Sequence, residues 1–342
     1  MPKDMGFLSE NIMRQLATLQ KIDKINPIPD ADAIEVATVN GWKVVVKKNE
    51  FKVGDKIVFF EIDSWVPHAL APFLSKNEPK TYQGIQGEKL RTIKLRGQIS
   101  QGLILPESIL GNSNLEIGSD VTEILGVVKW EPPISAQLEG MTKGNFPSFL
   151  IKTDEERVQN LSKYWNDYIG LTFNVHEKLD GSSCTIYRYN DEFGVCSRNL
   201  DLKQTEGNSF WKVALENKLD ENLPNNLCIQ GELVGPGVQK NIYALPNLRL
   251  YVFNVYDILE GKYIEIERAK EIAESLGLTW APFHSNYTIT NEDTVQSLLS
   301  MAEGGSALNP NTEREGLVWR SNGTERISFK TISNKFLLKN ND

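Results

Sequence analysis

The sequence contains few cysteines and no long apolar run. Its three cysteines, Cys184, Cys196 and Cys228, are dispersed and form no CxxC pair. This argues against a zinc site or a disulfide framework and is typical of a reducing compartment. No stretch is long and apolar enough to predict a membrane span, and the first residues lack the charged-then-apolar pattern of a secretion signal. We therefore expect a cytoplasmic protein.

Positive charge is also in deficit, because the net charge is −8. A chain of this charge that binds a polyanion must concentrate its basic residues locally. Residues 1–125 are close to neutral, and most of the negative excess lies in the remainder. Four basic residues cluster in one predicted strand of this region: Lys89, Arg91, Lys94 and Arg96. The strand is either an ordinary edge strand whose charges prevent aggregation or one that follows a phosphate backbone.

Lys178 lies in the most informative segment of the chain, Lys178-Leu179-Asp180-Gly181. A Lys-x-Asp-Gly motif marks a lysine that attacks the α-phosphate of a nucleotide. Such a lysine must lose a proton from a group whose reference pKa is near ~10.4, so it needs nearby cations or desolvation. A metal on the nucleotide phosphates would supply that help. A surface lysine entering an Asp-Gly hairpin turn explains the motif alone equally well, and the downstream segments decide between the two.

Further motifs follow in order along the chain. Arg198 ends a predicted strand, Glu232 is flanked by glycines that permit close approach of the backbone, and Lys330 ends a late strand. Such groups suit a ribose, a metal and a phosphate. Alternation over residues 250–258 predicts a strand whose one face carries an aromatic side chain able to stack on a purine. The residues of that face are Tyr251, Phe253, Val255 and Asp257, and a second carboxylate follows at Glu315.

These ordered motifs resemble those of the covalent nucleotidyltransferase superfamily, which comprises ATP-dependent RNA ligases, DNA ligases and mRNA capping enzymes. The resemblance covers nearly the whole chain. The size, the extra front domain, Phe146-Pro147 and the run from Lys152 to Asn160 are similar to the Deinococcus-type, or fifth-class, RNA ligases.

The resemblance implies a role for each matching position. Lys178 corresponds to the lysine that becomes a lysyl-AMP adduct. Many relatives have Lys-x-Lys in the last motif, whereas this chain has Lys330-Thr331-Ile332, so the second lysine of that motif is missing and Lys335 is a candidate to replace it. His176 is expected to pack rather than to transfer protons. The other implied roles are adenine recognition by Glu177, ribose and phosphate contact by Arg198, adenine stacking by Phe253, α-phosphate contact by Lys330, and carboxylates of the metal site at Glu232 and Glu315.

The resemblance also implies a three-step reaction with ATP as the AMP donor. Lys178 displaces pyrophosphate, AMP moves to an RNA or DNA 5′-phosphate, and an RNA 3′-OH then displaces AMP. Mg²⁺ or Mn²⁺ would polarise phosphoryl oxygens and offset developing charge. Hard oxygen ligands suit such a cation: Glu232, Glu315 and either Asp180 or Asp257. The expected partner is RNA, as a nick in a duplex or as single strands, and no membrane or protein partner is expected.

The predicted fold class is α+β, with an N-terminal OB-like β-barrel and a C-terminal α+β nucleotidyltransferase domain of the ATP-grasp-like ligase and capping-enzyme type. We expect the barrel, a nucleic-acid-binding domain, in residues 1–125, a linker in 126–148 and the adenylyltransferase domain in 149–342. Asn40-Gly41 indicates a hairpin. The predicted strand runs are Leu16 to Ile25, Ile34 to Lys47, Lys56 to Ile62 and Ile93 to Leu105, and the predicted helices are Asp154 to Tyr168, Ser209 to Leu219 and Glu267 to Leu276.

The relatives differ in what surrounds the motifs. DNA ligases and capping enzymes carry an OB domain after the last motif, whereas only Thr331 to Asp342 follow Lys330 here. This favours an RNA ligase. No phosphate-binding loop of an end-healing module is present, so we expect sealing only. The alternatives are a nucleic-acid-binding protein with a relic catalytic domain, and another polynucleotide ligase or guanylyltransferase of the superfamily.

Overall fold

The computed structural model describes residues 14–111, 114–132, 138, 140–321 and 326–340. These residues divide into two compact units. The β unit comprises residues 14–132, 158–165 and 337–340. The catalytic unit comprises residues 138, 140–157, 166–321 and 326–336.

The β unit is built from short antiparallel strands. Its sheets have the orders β1-β5-β11, β2-β3-β4, β9-β10 and β12-β6-β8-β7. The strands are β1 Ala17–Lys21, β2 Lys24–Pro27, β3 Ile34–Val39, β4 Trp42–Lys47, β5 Lys56–Phe60, β6 Ser64–Pro67, β7 Lys80–Tyr82, β8 Ile85–Lys89, β9 Thr92–Leu95, β10 Gln98–Gln101, β11 Leu103–Pro106 and β12 Val128–Lys129.

The predicted hairpin joins β3 and β4, whose ends pair as Val39 with Trp42. Asn40 adopts a φ of 51°, a left-handed conformation that asparagine tolerates better than most residues. The apolar faces of the strands then close over two buried clusters, one around Phe60 and Val121 and the other around Trp42 and Ile57. Alternation of apolar residues thus encloses a core between small sheets, as the predicted barrel requires. The interpretation of this region missed β6, β7 and β8.

The predicted basic strand is divided between two elements. Lys89 ends β8, where its Nζ lies 3.5 Å from the centroid of the Trp130 ring and 3.8 Å from Asp63. Its side chain is therefore engaged within the unit. Arg91, Lys94 and Arg96 are exposed on or beside β9, which pairs only with β10 among the described strands.

The catalytic unit contains two sheets. The larger has the order β13-β17-β16-β15-β18-β19-β20, with β21 parallel to β19, and the smaller has the order β22-β14-β23-β24. Their strands are β13 Thr142–Asn145, β14 Thr172–Lys178, β15 Ser182–Tyr189, β16 Glu192–Cys196, β17 Leu200–Leu202, β18 Leu227–Val234, β19 Arg249–Asp257, β20 Lys262–Tyr263, β21 Thr279–Trp280, β22 Phe283–Thr288, β23 Gly316–Ser321 and β24 Ser328–Ile332.

Two of the three predicted helices form where expected. The helix predicted from Asp154 to Tyr168 is wrong in its first part, because the main chain there bonds to a strand: Glu156 accepts from the Lys330 N–H at 2.7 Å. A 3₁₀ helix follows at Val158–Tyr164. The α-helices are α1 Trp165–Tyr168, α2 Ser209–Glu216, α3 Leu219–Asn222, α4 Ile266–Ser275, α5 Val295–Met301 and α6 Asn334–Lys339, and further 3₁₀ helices lie at Pro72–Leu74 and Glu107–Leu110.

The catalytic unit has its main core where α2 and α4 cover the larger sheet. All three cysteines are buried in this sheet and carry free thiols, and burial raises the pKa of each thiol well above its usual range. Thiols that stay protonated and inaccessible are unreactive. Among the described residues, no helix is long and apolar enough to cross a membrane.

Candidate functional site

Lys178 is the last residue of β14, as the motif predicts, and it pairs with Gly316 at the start of β23. Gly316 also pairs with Ile332 of β24. A Cβ atom at Gly316 would lie 2.1 Å from the Thr331 carbonyl oxygen, so only glycine allows β24 to approach here. This close packing sets Glu315, the preceding residue, beside the end of β14.

The Lys178 ammonium forms an ion pair with Glu315, with 2.8 Å between Nζ and Oε2. Burial alone would lower the pKa of Lys178, but the charges of Glu315, Glu232 and Asp180 outweigh that effect and raise it. The lysine is therefore held protonated in this arrangement. Lys178 thus lies where the motif predicts a nucleophile, but a nucleophilic amine must be neutral and this one is protonated.

The carboxylates around Lys178 form a cluster with excess negative charge. Burial raises the pKa of Glu232 to about 8, with further contributions from Glu315 and Asp180. Burial, followed by repulsion from Glu315, raises the pKa of Asp180 to about 6. Acids that resist ionisation because they are buried and repel one another are suited to a divalent cation, whose charge would offset both effects.

No three His, Cys, Asp or Glu side chains among the described residues are arranged to enclose a metal ion directly. The oxygen donors of Glu232, Glu315 and Asp180 nevertheless fit a hard cation that keeps several of its waters, as Mg²⁺ commonly does. Asp257 does not join them. Its Oδ1 accepts from the Glu260 N–H at 2.9 Å in the turn after β19.

The turn after Lys178 is fixed by a residue that the sequence analysis missed. The Asp180 N–H donates to the buried Tyr243 hydroxyl oxygen at 2.6 Å, and the Gly181 N–H donates to Glu232 Oε1 at 3.2 Å. A Cβ atom at Gly181 would lie 2.3 Å from the Leu233 carbonyl oxygen. Tyr243 belongs to the long connection after β18, and no local pattern in the sequence links it to the lysine motif.

Glu177 is buried one residue before the lysine. Its Oε2 accepts from the Ala307 N–H at 2.8 Å, whereas its Oε1 is buried with no hydrogen-bond partner in the described structure. Burial raises the pKa of this carboxyl group. An unsatisfied buried acceptor is costly unless a ligand completes it, so Glu177 retains an acceptor for a bound donor.

Phe253 lies at a β-bulge, which the sequence analysis did not foresee. Gln230 pairs with Asn254 but Gly231 pairs with Val252, so Phe253 is the extra residue of β19. The predicted alternation is therefore wrong: Val252 and Val255 both face the main core. Bulges re-aim side chains and are frequent beside active sites. The half-buried Phe253 ring lies 5.5 Å from the Cζ atom of Arg320 on β23.

Lys330 and Arg198 are brought together through a third residue. Lys330 Nζ lies 2.8 Å from Asp154 Oδ1, and Arg198 Nη2 lies 3.2 Å from Asp154 Oδ2. The segment that carries Asp154 is anchored to β24, because Arg157 and Lys330 form a parallel bridge. Asp154 lies within the run from Lys152 to Asn160, and no motif in the sequence predicts a role for it.

Two other residues lie apart from this group. Lys335, the candidate for the second lysine of the last motif, forms an ion pair with Glu303 at 2.9 Å and is largely exposed. His176 is buried, and its Nε2 accepts from Trp280 Nε1 at 3.1 Å. Burial lowers the pKa of His176 to about 3, so the imidazole is neutral and packs against aromatic rings, as expected.

Comparison with known proteins finds two matching family models and several similar solved structures. Residues 171–332 match the RNA ligase family model, and residues 16–107 match an OB-fold domain model. No curated protein sequence matches the chain. Among solved structures, Naegleria gruberi RNA ligase with PPi is 43% identical with a TM-score of 0.89, and the match covers 96% of this chain and 100% of that one.

Two variants of the same Naegleria gruberi enzyme are similar to the chain. One, with ATP and Mn, has 42% identity and a TM-score of 0.89, with 96% of this chain and 100% of that chain covered. The other, with AMP and Mn, has 42% identity and a TM-score of 0.88, with 96% and 99% covered. The prediction of an OB-like barrel followed by an α+β nucleotidyltransferase domain is confirmed. The chain belongs to the RNA ligase family.

Proposed function

We propose that the chain joins RNA ends through a lysyl-AMP intermediate formed on Lys178. The enzyme is an ATP-dependent RNA ligase that uses ATP as the AMP donor together with a divalent cation, in keeping with relatives solved with ATP and Mn. The observation that carries the proposal is the 2.8 Å pair between Lys178 Nζ and Glu315 at the strand end of the lysine motif. It joins a nucleophile and a metal-type ligand that lie 137 residues apart in the sequence.

The carboxylates explain why a cation is needed before Lys178 can react. Glu232, Glu315 and Asp180 would hold Mg²⁺ or Mn²⁺, which supplies positive charge that lowers the pKa of Lys178 and polarises the phosphoryl oxygens. The Lys178 side chain is 28% exposed, so it is not fully closed off from solvent. In this way the same residues that keep the lysine protonated at rest would permit its activation.

The remaining predicted residues divide between base and phosphate. Phe253 would stack on adenine, and Glu177 would accept from its amino group through the unpartnered Oε1. Lys330 and Arg198 would contact the α-phosphate, because ammonium and guanidinium groups form strong charge-assisted bonds to phosphate oxygens. These assignments place the reacting phosphorus between the two groups of charged residues.

Each chemical step exchanges one bond at phosphorus. Lys178 Nζ forms a P–N bond as the bond from the α-phosphorus to the bridging oxygen breaks, and pyrophosphate leaves. A 5′-phosphate oxygen of RNA or DNA then displaces Lys178 and takes the AMP. An RNA 3′-OH finally attacks that 5′-phosphate, loses its proton and displaces AMP.

We further assign the substrate as a nick in a duplex with an RNA 3′-OH strand, gripped by the β unit. The exposed basic side chains beside β9 support phosphate contact: Arg91, Lys94 and Arg96. On this proposal residues 1–125 form the nucleic-acid-binding domain, 126–148 the linker and 149–342 the catalytic domain. Membership of the Deinococcus-type class and the cellular location stay predictions.

The test is a radiolabelling assay with α-labelled ATP or GTP and Mg²⁺ or Mn²⁺, followed by addition of a nicked RNA duplex. We expect wild-type protein to retain AMP and to transfer it into a sealed product, and Lys178→Ala to form no adduct. An undiminished adduct in Lys178→Ala would refute the assignment of the nucleophile. Label from GTP alone would indicate a guanylyltransferase, and no label with either nucleotide would indicate a nucleic-acid-binding protein with a relic catalytic domain.

A further inference from the structure

Asp154 brings a negative charge to the place where the proposed function needs a phosphate. One of its carboxylate oxygens contacts Lys330 and the other contacts Arg198, at 2.8 and 3.2 Å. These are the two cations that the proposed function assigns to the α-phosphate. Carboxylate and phosphate oxygens accept the same charge-assisted hydrogen bonds from ammonium and guanidinium groups, so the two anions compete for the same donors.

The three side chains differ in how firmly they are held. Lys330 is 13% exposed on a paired strand, whereas Asp154 and Arg198 are 42% and 53% exposed. Residues 151–156, which include Asp154, form no helix or strand. The carboxylate can therefore rotate away without breaking a strand ladder. Ion pairs of this exposure contribute little to stability in water, so Asp154 holds the two cations only weakly.

We propose that Asp154 is an internal competitor for nucleotide phosphate, which pairs with Arg198 and Lys330 in the nucleotide-free enzyme and gives way when the phosphate binds. This inference rests on the proposed function, because it takes both cations as phosphate ligands. Asp154 keeps the nearly buried Lys330 paired between turnovers. It also weakens the hold on the phosphate of AMP, which favours release of AMP.

The test compares binding of three probes to Asp154→Asn, a variant that keeps the shape and removes the charge. Affinities for ATP, AMP and adenosine are measured by equilibrium dialysis in a Lys178→Ala background, where no adduct forms. We expect ATP and AMP to bind about two- to fivefold more tightly in Asp154→Asn. Adenosine has no phosphate, so its affinity is expected to stay unchanged.

Glu156→Gln is the matched control, because it removes the same charge from the same segment. The Glu156 Oε1 accepts from the Arg157 N–H at 2.7 Å, whereas the Asp154 carboxylate contacts Lys330 Nζ and Arg198 Nη2. We expect its ATP affinity to equal that of the background. An equal gain in both variants would show a general effect of charge and would overturn the inference.

Other outcomes separate the inference from the proposed function. Weaker ATP binding in Asp154→Asn would show that Asp154 only supports the site, and an equal gain for adenosine would show that phosphate is not the competitor. ATP binding that is retained and identical in every variant would overturn the inference alone. No ATP binding in any variant would overturn the proposed function and the inference with it.

Discussion

The two halves of the candidate site carry opposite excess charge. In the anionic half, Lys178 faces the carboxylates Glu315, Glu232 and Asp180. In the cationic half, two basic side chains, Arg198 and Lys330, pair with the carboxylate of Asp154. On the proposed function, a nucleotide phosphate would meet Lys330 and Arg198, and the divalent cation that arrives with it would meet the carboxylates around Lys178.

The two halves also differ in what must change before they can act on a nucleotide. The cationic half can accept a phosphate by exchanging one anion for another, which requires only that Asp154 rotate away. The anionic half requires a change of protonation, because its carboxylates raise the pKa of Lys178. Attack by the lysine is thereby tied to the presence of the cation. Variants that change the charge of one half at a time test this comparison.

The largest effect is expected from Glu315→Ala in the anionic half. If Glu315 acted only as the ion-pair partner of Lys178, its removal would lower the pKa of the lysine and speed AMP transfer. Because it is also proposed to hold the cation, we expect single-turnover AMP transfer to fall by about 10³-fold. The rate is measured at limiting Mg²⁺ or Mn²⁺, with thermal unfolding to show that the fold is intact.

Glu303→Ala is the control for this variant, since it removes a glutamate of the catalytic unit that pairs with Lys335 instead. Its rate of AMP transfer is expected to match that of the wild type. An accelerated or unchanged rate in Glu315→Ala would contradict the role of Glu315 as a cation ligand and leave the anionic half without its proposed purpose.

The next effect in size is expected from Lys330→Ala in the cationic half. Loss of a nearly buried donor to the transferring phosphate should reduce AMP transfer by about 10²-fold. Lys335→Ala, which removes the largely exposed lysine paired with Glu303, is expected to retain near wild-type rates. Single-turnover assays at saturating ATP compare the two. A larger loss in Lys335→Ala would reverse the assignment of the last motif.

Every charged residue assigned to the two halves could be predicted from the sequence except Asp154. Lys178 and Asp180 share one short motif, and Glu315 and Lys330 belong to later motifs of the same ordered set. Asp154 and Lys330, in contrast, meet across 176 residues of the chain. Motifs identify residue types, whereas a contact between a strand and an irregular segment depends on tertiary packing that no period in the sequence reports.

The errors in the predicted helix and strand also arise because tertiary packing is not visible in the sequence. The segment after Asp154 looks helical because it is polar and contains good helix formers. Its main chain bonds to β24 instead, because tertiary contacts outweigh local helix propensity. Beyond Phe253, strict alternation predicted the wrong face for Val255, because a bulge inserts one residue. Tyr243 reached Asp180 from a loop 63 residues away. The tyrosine has no motif of its own, so only the folded chain reveals it.

The smallest effect is expected from pH, and it sharpens the comparison because it acts on the anionic half. A glutamate whose pKa is raised to about 8 binds its proton more tightly in the folded state than in the unfolded state. Its contribution to stability is therefore complete below its ordinary pKa and is lost as the pH rises through about 8. The pKa of Asp180 is about 6 and that of His176 about 3, so neither titrates in the same range.

Between about pH 7 and about pH 8.5, we expect metal-free protein to lose about 1 kcal/mol of stability, a decrease of about 2 °C in Tm. Glu232→Gln has no proton to lose and should show a smaller decrease. Mn²⁺ should abolish the decrease in the wild type, because the cation binds the ionised carboxylates and makes their deprotonation favourable. Calorimetry with and without Mn²⁺ provides both comparisons. A wild-type Tm that rises over this range without metal would mean that Glu232 is already ionised at neutral pH, and the excess of negative charge around Lys178 would then be balanced by other groups.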